Sequence, residues 1–210
     1  MSLMLVRKRR VTTGVAVLAG TLALAACGSG SDGKDAGGPT GANGADDKPA
    51  TSSSVSWPAP ADASAQVKAA GLPMLGQEGQ VLHIHSHLDV FVDGKAVTVP
   101  AEIGIDLGKQ QISPLHTHDT SGVVHIESPV KADFTLGQFM AEWNVPISKD
   151  ALGPLKTGGG KELGLYVNGK KQTGDPAAVT LGAHDEIAVV YGAAGDKVTV
   201  PGSYDWPEGL

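Results

Sequence analysis

Short alternating strands joined by tight hairpins, with one amphipathic helix among them, define an α+β chain. Three stretches carry that expectation. Val81 to Val92 (VLHIHSHLDVFV) alternates as a strand and runs into Asp93-Gly94, a type I′ turn signal. Ser113 to Ser128 (SPLHTHDTSGVVHIES) has alternating arms around the turn chemistry of Asp119-Thr120-Ser121-Gly122. Thr135-Leu136-Gly137-Gln138 is a capping box opening a helix whose Leu136, Phe139, Met140 and Trp143 fall at i, i+3, i+4 and i+7. A His-rich hairpin followed by a sheet with one packed helix is therefore expected.

In chain order, the N-terminus is not part of that fold. Arg7-Lys8-Arg9-Arg10 is a basic n-region, and Val11 to Leu24 an apolar h-region too short for a comfortable membrane span. Leu24-Ala25-Ala26-Cys27 follows. Small residues before a cysteine at this position resemble the lipobox of bacterial lipoproteins. That resemblance implies cleavage before Cys27, lipid on Cys27, and a domain held at the outer side of the cell membrane. The alternative is an uncleaved N-terminal anchor, which places the chain on the same side. Residues 1–26 are thus read as signal peptide, and 27–56 as the lipidated cysteine and a Gly/Ser/Ala tether with too little apolar surface to fold.

Residues 57–210 are read as one α+β domain: 57–110 a short helix and the first His hairpin, 111–192 a sheet with its helix, and 193–210 a tail. Asp62 is a plausible N-cap and Gly71 a stop for the short helix. In the first strand Leu82, Ile84, Leu88 and Val90 point one way, and His83, His85, His87 and Asp89 the other. Lys95 to Val99 returns, and Pro100 ends it. Leu163 to Val167, Asn168-Gly169 and Lys170 to Thr173 form a third hairpin, and Glu186 to Tyr191 a last apolar strand. In the tail, Lys197 to Val200 suits an edge strand, and Tyr204 and Trp206 suit packing onto the body.

The order hairpin, helix, hairpin, strand resembles the β-grasp fold of ubiquitin and of the sulfur carriers of thiamin and molybdopterin synthesis. The residues that carry it are HIESPVKADFTLGQFM (His125 to Met140), LYVNGK (Leu165 to Lys170) and LGAHDEIAVVYG (Leu181 to Gly192), a span of roughly 80 residues. Those carriers end in an activated Gly-Gly, whereas this chain runs on past Gly192, so the resemblance implies the fold and not the carrier role. The chain is also similar to secreted bacterial sequences sharing HxHxHL and LHTHDxxGxxHIES, a likeness that implies no particular activity.

Six of the seven histidines lie in the two hairpins, and all six, His83, His85, His87, His116, His118 and His125, are candidate metal ligands. Pairing the second hairpin about its loop sets His116 opposite His125, Thr117 opposite Val124 and His118 opposite Val123. His116, His118 and His125 then share one face, a three-imidazole arrangement suited to a metal ion. Glu127 shares the face of His125 as ligand, orienting partner or general base. Asp119 reads as an Asx turn opener, and His184 as a loop residue. A purely structural histidine face is the competing reading.

Cys27 is the only cysteine, so lipid there leaves no disulfide and no thiolate ligand. An all-imidazole set with a carboxylate suits Zn(II) or Cu(II), and less well Fe(II) or Ni(II); thioether-dependent Cu(I) chaperones are disfavoured. The His-x-His pattern is similar to that of carbonic anhydrases and cupins, but the large sheet of the first and the second motif of the other are missing. Loss of the four basic residues of the signal takes the formal charge from −6 to −10, and no basic stripe remains for nucleic acid. Three functions stay open: a metal-binding lipoprotein, a three-histidine metalloenzyme with Glu127 as acid or base, and a protein-interaction domain with an incidental histidine face.

Overall fold

A computed structural model describes residues 55–210. The expected signal peptide, Cys27 and all but the end of the tether lie outside the described residues. The described chain is α+β, with a β-grasp-like sheet and a packed helix.

Helix α1 (Ala63–Ala69) starts where Asp62 accepts a hydrogen bond from the backbone N–H of Ala65. The long strand β1 (Leu82–Val92) follows, and turns back into β2 (Lys95–Val97). Asp93 and Gly94 at that turn have φ of 49° and 76°, as a type I′ turn demands. A small sheet of β3 (Ile105–Asp106) and β4 (Gln111–Ile112) leads to β5 (Leu115–His116) and β6 (Val123–Ser128). Helix α2 (Leu136–Glu142) has the full capping box between Thr135 and Gln138. A meander of β7 (Ile147–Ser148), β8 (Ala151–Leu152) and β9 (Leu155–Lys156) comes next. The hairpin of β10 (Lys161–Val167) and β11 (Lys170–Lys171) turns through Asn168 and Gly169, at φ of 52° and 72°. A short 3₁₀ turn, Pro176–Ala178, precedes the last strand β12 (Glu186–Ala193).

The main sheet runs β11-β10-β12-β1-β6-β5. β12 lies parallel to β1 over His87–Val92, and β10 antiparallel to β12. β6 pairs antiparallel with the first half of β1, and β2 with its end. The parallel central place of a β-grasp sheet thus belongs to β1. The β5–β6 hairpin extends the sheet beyond it, so both His-bearing hairpins share one sheet.

One face of this sheet is the core. Leu88, Val90, Val124, Ile126, Ile187 and Val189 join Leu136, Phe139, Met140 and Trp143 of α2 in one cluster. Those four helix residues are each no more than 1 % exposed, so the spacing of the stripe matches the face that is buried. The opposite face carries the histidines and is not simply open: His85, Ser86, His87 and Leu88 are consecutive buried residues. Tyr204 stacks on His87 at 3.8 Å between ring centroids, which covers that end of the strand.

Two expectations are corrected. Lys197 to Val200 belongs to no strand; β12 itself extends to Ala193, and the chain then turns where Asp196 accepts from the Ala193 N–H. The β5–β6 ladder stops at His116↔His125, so Thr117 and His118 do not pair with Val124 and Val123. β1 pairs with the other edge of β6, Ser86 with Val124 and His87 with Val123. The β5–β6 ladder stops because Thr117 gives its N–H to the carbonyl of Ile103 and its own carbonyl accepts from the N–H of Glu102.

Candidate metal centre

Three strands set the site. Across β1, β6 and β5, His85, His125 and His116 stand in one row, with His125 in the middle. One step along, Glu127 pairs with His83. His118 follows the end of β5 in a loop, yet its ring lies 4.8 Å from that of His116 and 4.6 Å from that of His125. The loop is pinned where Ser121 N–H donates to Asp119 and Leu88 N–H donates to the carbonyl of Gly122. The Asx-turn role read for Asp119 is the one it performs.

His116, His118 and His125 offer ligand atoms that all lie within 4.8 Å of one another, and so do His83, His85 and Glu127. These groups are chemically able to hold a metal ion. Ligands on one tetrahedral zinc sit about 3.4 Å apart, given bonds of about 2.0–2.1 Å. Small rotations close the gap, and each group has an exposed arm to rotate, His118 in one and His83 in the other.

His116 is the anchor. It is fully buried, and its Nδ1–H donates to the carbonyl of Ser113 at 2.9 Å. A carbonyl only accepts, so the tautomer leaves a bare lone pair on Nε2. That Nε2 is buried with no hydrogen-bond partner among the described residues and stands 4.0 Å from Oε1 of Glu127. Two acceptors facing one another in a buried site call for a cation between or beside them. A proton is a poor candidate, because burial above all, with the neighbouring His125 and His118, pushes the His116 pKa down to about 3. His85 and His125 are both pushed down to about 4, by burial first and nearby imidazoles next. At neutral pH these three rings are uncharged and carry free lone pairs, the form a metal requires.

Glu127 is 2 % exposed, and its pKa is raised by burial and by the carboxylate of Glu78. His125 places Nδ1 3.1 Å from its Oε1, the carboxylate–histidine pairing that orients a ligating imidazole. Glu78 reaches the site from the loop before β1, 3.6 Å from Nε2 of His118. It gets there because Gly79 lies against the backbone of Ser128, where any Cβ would collide. Glu78 has no signal in the sequence; only that close approach brings it in.

His87 has a different task. His87, Asp89 and Glu186 also bring ligand atoms within 4.8 Å. But Nε2 of His87 donates to the carbonyl of Ser121 at 2.8 Å, and Nδ1 faces Glu186 at 2.8 Å. Neither ring nitrogen is free for an ion. Burial opposes its charge, yet the bonds to Glu186 and Ser121 prevail and hold its pKa above the ordinary value. Its ring ties β12, β1 and the hairpin loop together, with Tyr204 stacked on its face. His184, read as a loop residue, has φ of 59°, stacks against Trp206 and bonds the carbonyl of Leu210.

Beneath the site lies a group that the helical stripe conceals. Glu142 falls three residues after Phe139 and is buried, accepting from Ser113 Oγ at 2.6 Å. Ser113 is also the residue whose carbonyl sets the tautomer of His116. Burial pushes the Glu142 pKa up to about 8. The folded domain therefore holds a proton that the unfolded chain releases between about pH 4.5 and 8, and this group's contribution to stability falls as pH rises through that window. Glu142→Gln removes the effect. In urea unfolding with a chelator present, the variant gains on the native protein by up to about 1.4 kcal/mol per pH unit across the window. A gap independent of pH would contradict the buried, protonated state.

Comparison with protein-family models, curated proteins and solved structures gives no match. The function rests on the site alone.

Proposed function

We propose that this chain is a metal-binding lipoprotein, held by lipid on Cys27 at the outer face of the cell membrane. Its domain takes a divalent transition ion, Zn(II) or Cu(II), on His116, His118 and His125, with Glu127 orienting His125. The observation that carries the metal reading is the bare, buried Nε2 of His116 facing the carboxylate of Glu127. The nitrogen and oxygen donors of the site suit borderline divalent ions. The lipobox Leu24-Ala25-Ala26-Cys27 supports the anchoring.

The test is elemental analysis of the full-length protein, purified without a His tag and desalted, beside His116→Ala/His118→Ala/His125→Ala. Bound metal in the native protein and its loss from these positions in the variant is the expected result. Equal metal content in a folded variant would overturn the assignment of these ligands. Cleavage before Cys27 is checked by the mass of the mature chain, which should carry added acyl groups.

A further inference from the structure

We infer that the domain holds two ions side by side, the second on His83, His85 and Glu127. The inference rests on the metal reading above and extends it to a site of its own.

Within the two groups, three buried side-chain atoms lack a hydrogen-bond partner among the described residues: His116 Nε2, His85 Nε2 and Glu127 Oε2. One ion on His116, His118 and His125 accounts for the first. It leaves the other two unexplained, and His85 shares no ligand group with His116. His85 is 5 % exposed and Glu127 2 %, so water does not freely serve them. His83, His85 and Glu127 bring ligand atoms within 4.8 Å of one another, and Nε2 of His83 stands 3.4 Å from Oε1 of Glu127.

The strand register builds this second group as it builds the first. His83 faces Glu127 across β1 and β6, and His85 faces His125. Each group therefore has buried anchors and one half-exposed imidazole free to close over the ion. The ring of His85 stands 4.5 Å from that of His125, which makes the two positions neighbours.

Glu127 connects them. Its Oε1 stands 3.1 Å from Nδ1 of His125, a ligand of the first ion, and 3.4 Å from Nε2 of His83, a ligand of the second. The carboxylate charge is shared between two cations, which offsets the repulsion that neighbouring dications feel. Glu78 adds a second carboxylate beside Glu127, whose pKa it raises. Two imidazoles and one carboxylate leave a coordination position open on the second ion and suit Zn(II) or Cu(II).

The experiment is a Zn(II) titration of the full-length apo-protein by calorimetry, with elemental analysis after desalting. The native protein is expected to take two equivalents. His83→Ala/His85→Ala should take one, and His83→Ala alone, which alters only an exposed side chain, should weaken the second equivalent at least tenfold. Circular dichroism verifies the folding of each variant. One equivalent in the native protein, or two equivalents unchanged in His83→Ala/His85→Ala, overturns the second site and leaves the first standing. No bound zinc at all overturns both.

Discussion

Replacing His116 by alanine is expected to remove the first ion's share of the zinc-dependent rise in melting temperature. An ion at one hundred times its Kd stabilises a folded domain by about 2.7 kcal/mol, which for a domain of this size is roughly 5–11 °C. The native protein should show that shift, and the His116→Ala protein should lose it and keep only what an ion on His83, His85 and Glu127 supplies, with an affinity at the first site at least about 100-fold weaker. His116 is the ligand whose loss no rearrangement repairs. It is fully buried, its ring is held by the carbonyl of Ser113, and its free Nε2 is aimed at the carboxylate of Glu127. The apo-protein should change little, within about 2 kcal/mol. The cavity left behind is destabilising, but an unpartnered buried nitrogen goes with it. His118→Ala should be milder, because that side chain is 45 % exposed and water can take its place. Thermal melts with and without Zn(II) decide the matter, and an undiminished shift in His116→Ala would remove this residue from the site.

The largest loss of stability is expected from Trp143→Ala, about 3–5 kcal/mol. Trp143 is 1 % exposed at the end of α2, in the cluster that joins the helix to the sheet. Its Nε1–H donates to the carbonyl of Trp57 at 3.1 Å, and the two indoles meet edge to face at 5.9 Å. One truncation thus opens a void, leaves the part-buried carbonyl of Trp57 without its donor, and frees the first described residues from the body. Urea unfolding measures the cost. A loss below about 1 kcal/mol would mean that α2 is not the element holding the sheet. Because the histidines stand on the other face, the folded fraction of this variant should still bind zinc with native affinity.

What could be read directly from the sequence was whatever depends on residues a few positions apart. Asp93-Gly94 and Asn168-Gly169 make type I′ turns because the left-handed φ is a property of those residues. The box of Thr135 and Gln138 closes within one turn of helix, and the spacing of Leu136, Phe139, Met140 and Trp143 picks the buried face. The pairing of His116 with His125 follows from the symmetry of their loop, so two of the three first-site ligands were already in register. The α+β class and the likeness of the element order to a β-grasp fold came from the same local signals.

Tertiary structure decided the choices that local chemistry leaves equal. Any of several strands could have paired with β1; burial of the whole apolar set against α2 selects β12 on one side and β6 on the other. That choice brings His83 and His85 beside His125 and Glu127, while Glu102 and Ile103 take the backbone groups of Thr117 and end the β5–β6 ladder at His116. It also separates six similar histidines into different chemistries. A histidine offers a metal a lone pair or has both nitrogens engaged according to which groups face them, and those come from distant residues. Ser113 fills one nitrogen of His116 and leaves the other bare, whereas Ser121 and Glu186 fill both of His87. The sequence by itself determined that His83, His85 and His87 would share one face of their strand and that His116 would oppose His125, because strand alternation is local. Which of them keep a lone pair for a metal was decided by the fold, because hydrogen-bond partners are set by contacts that span the chain.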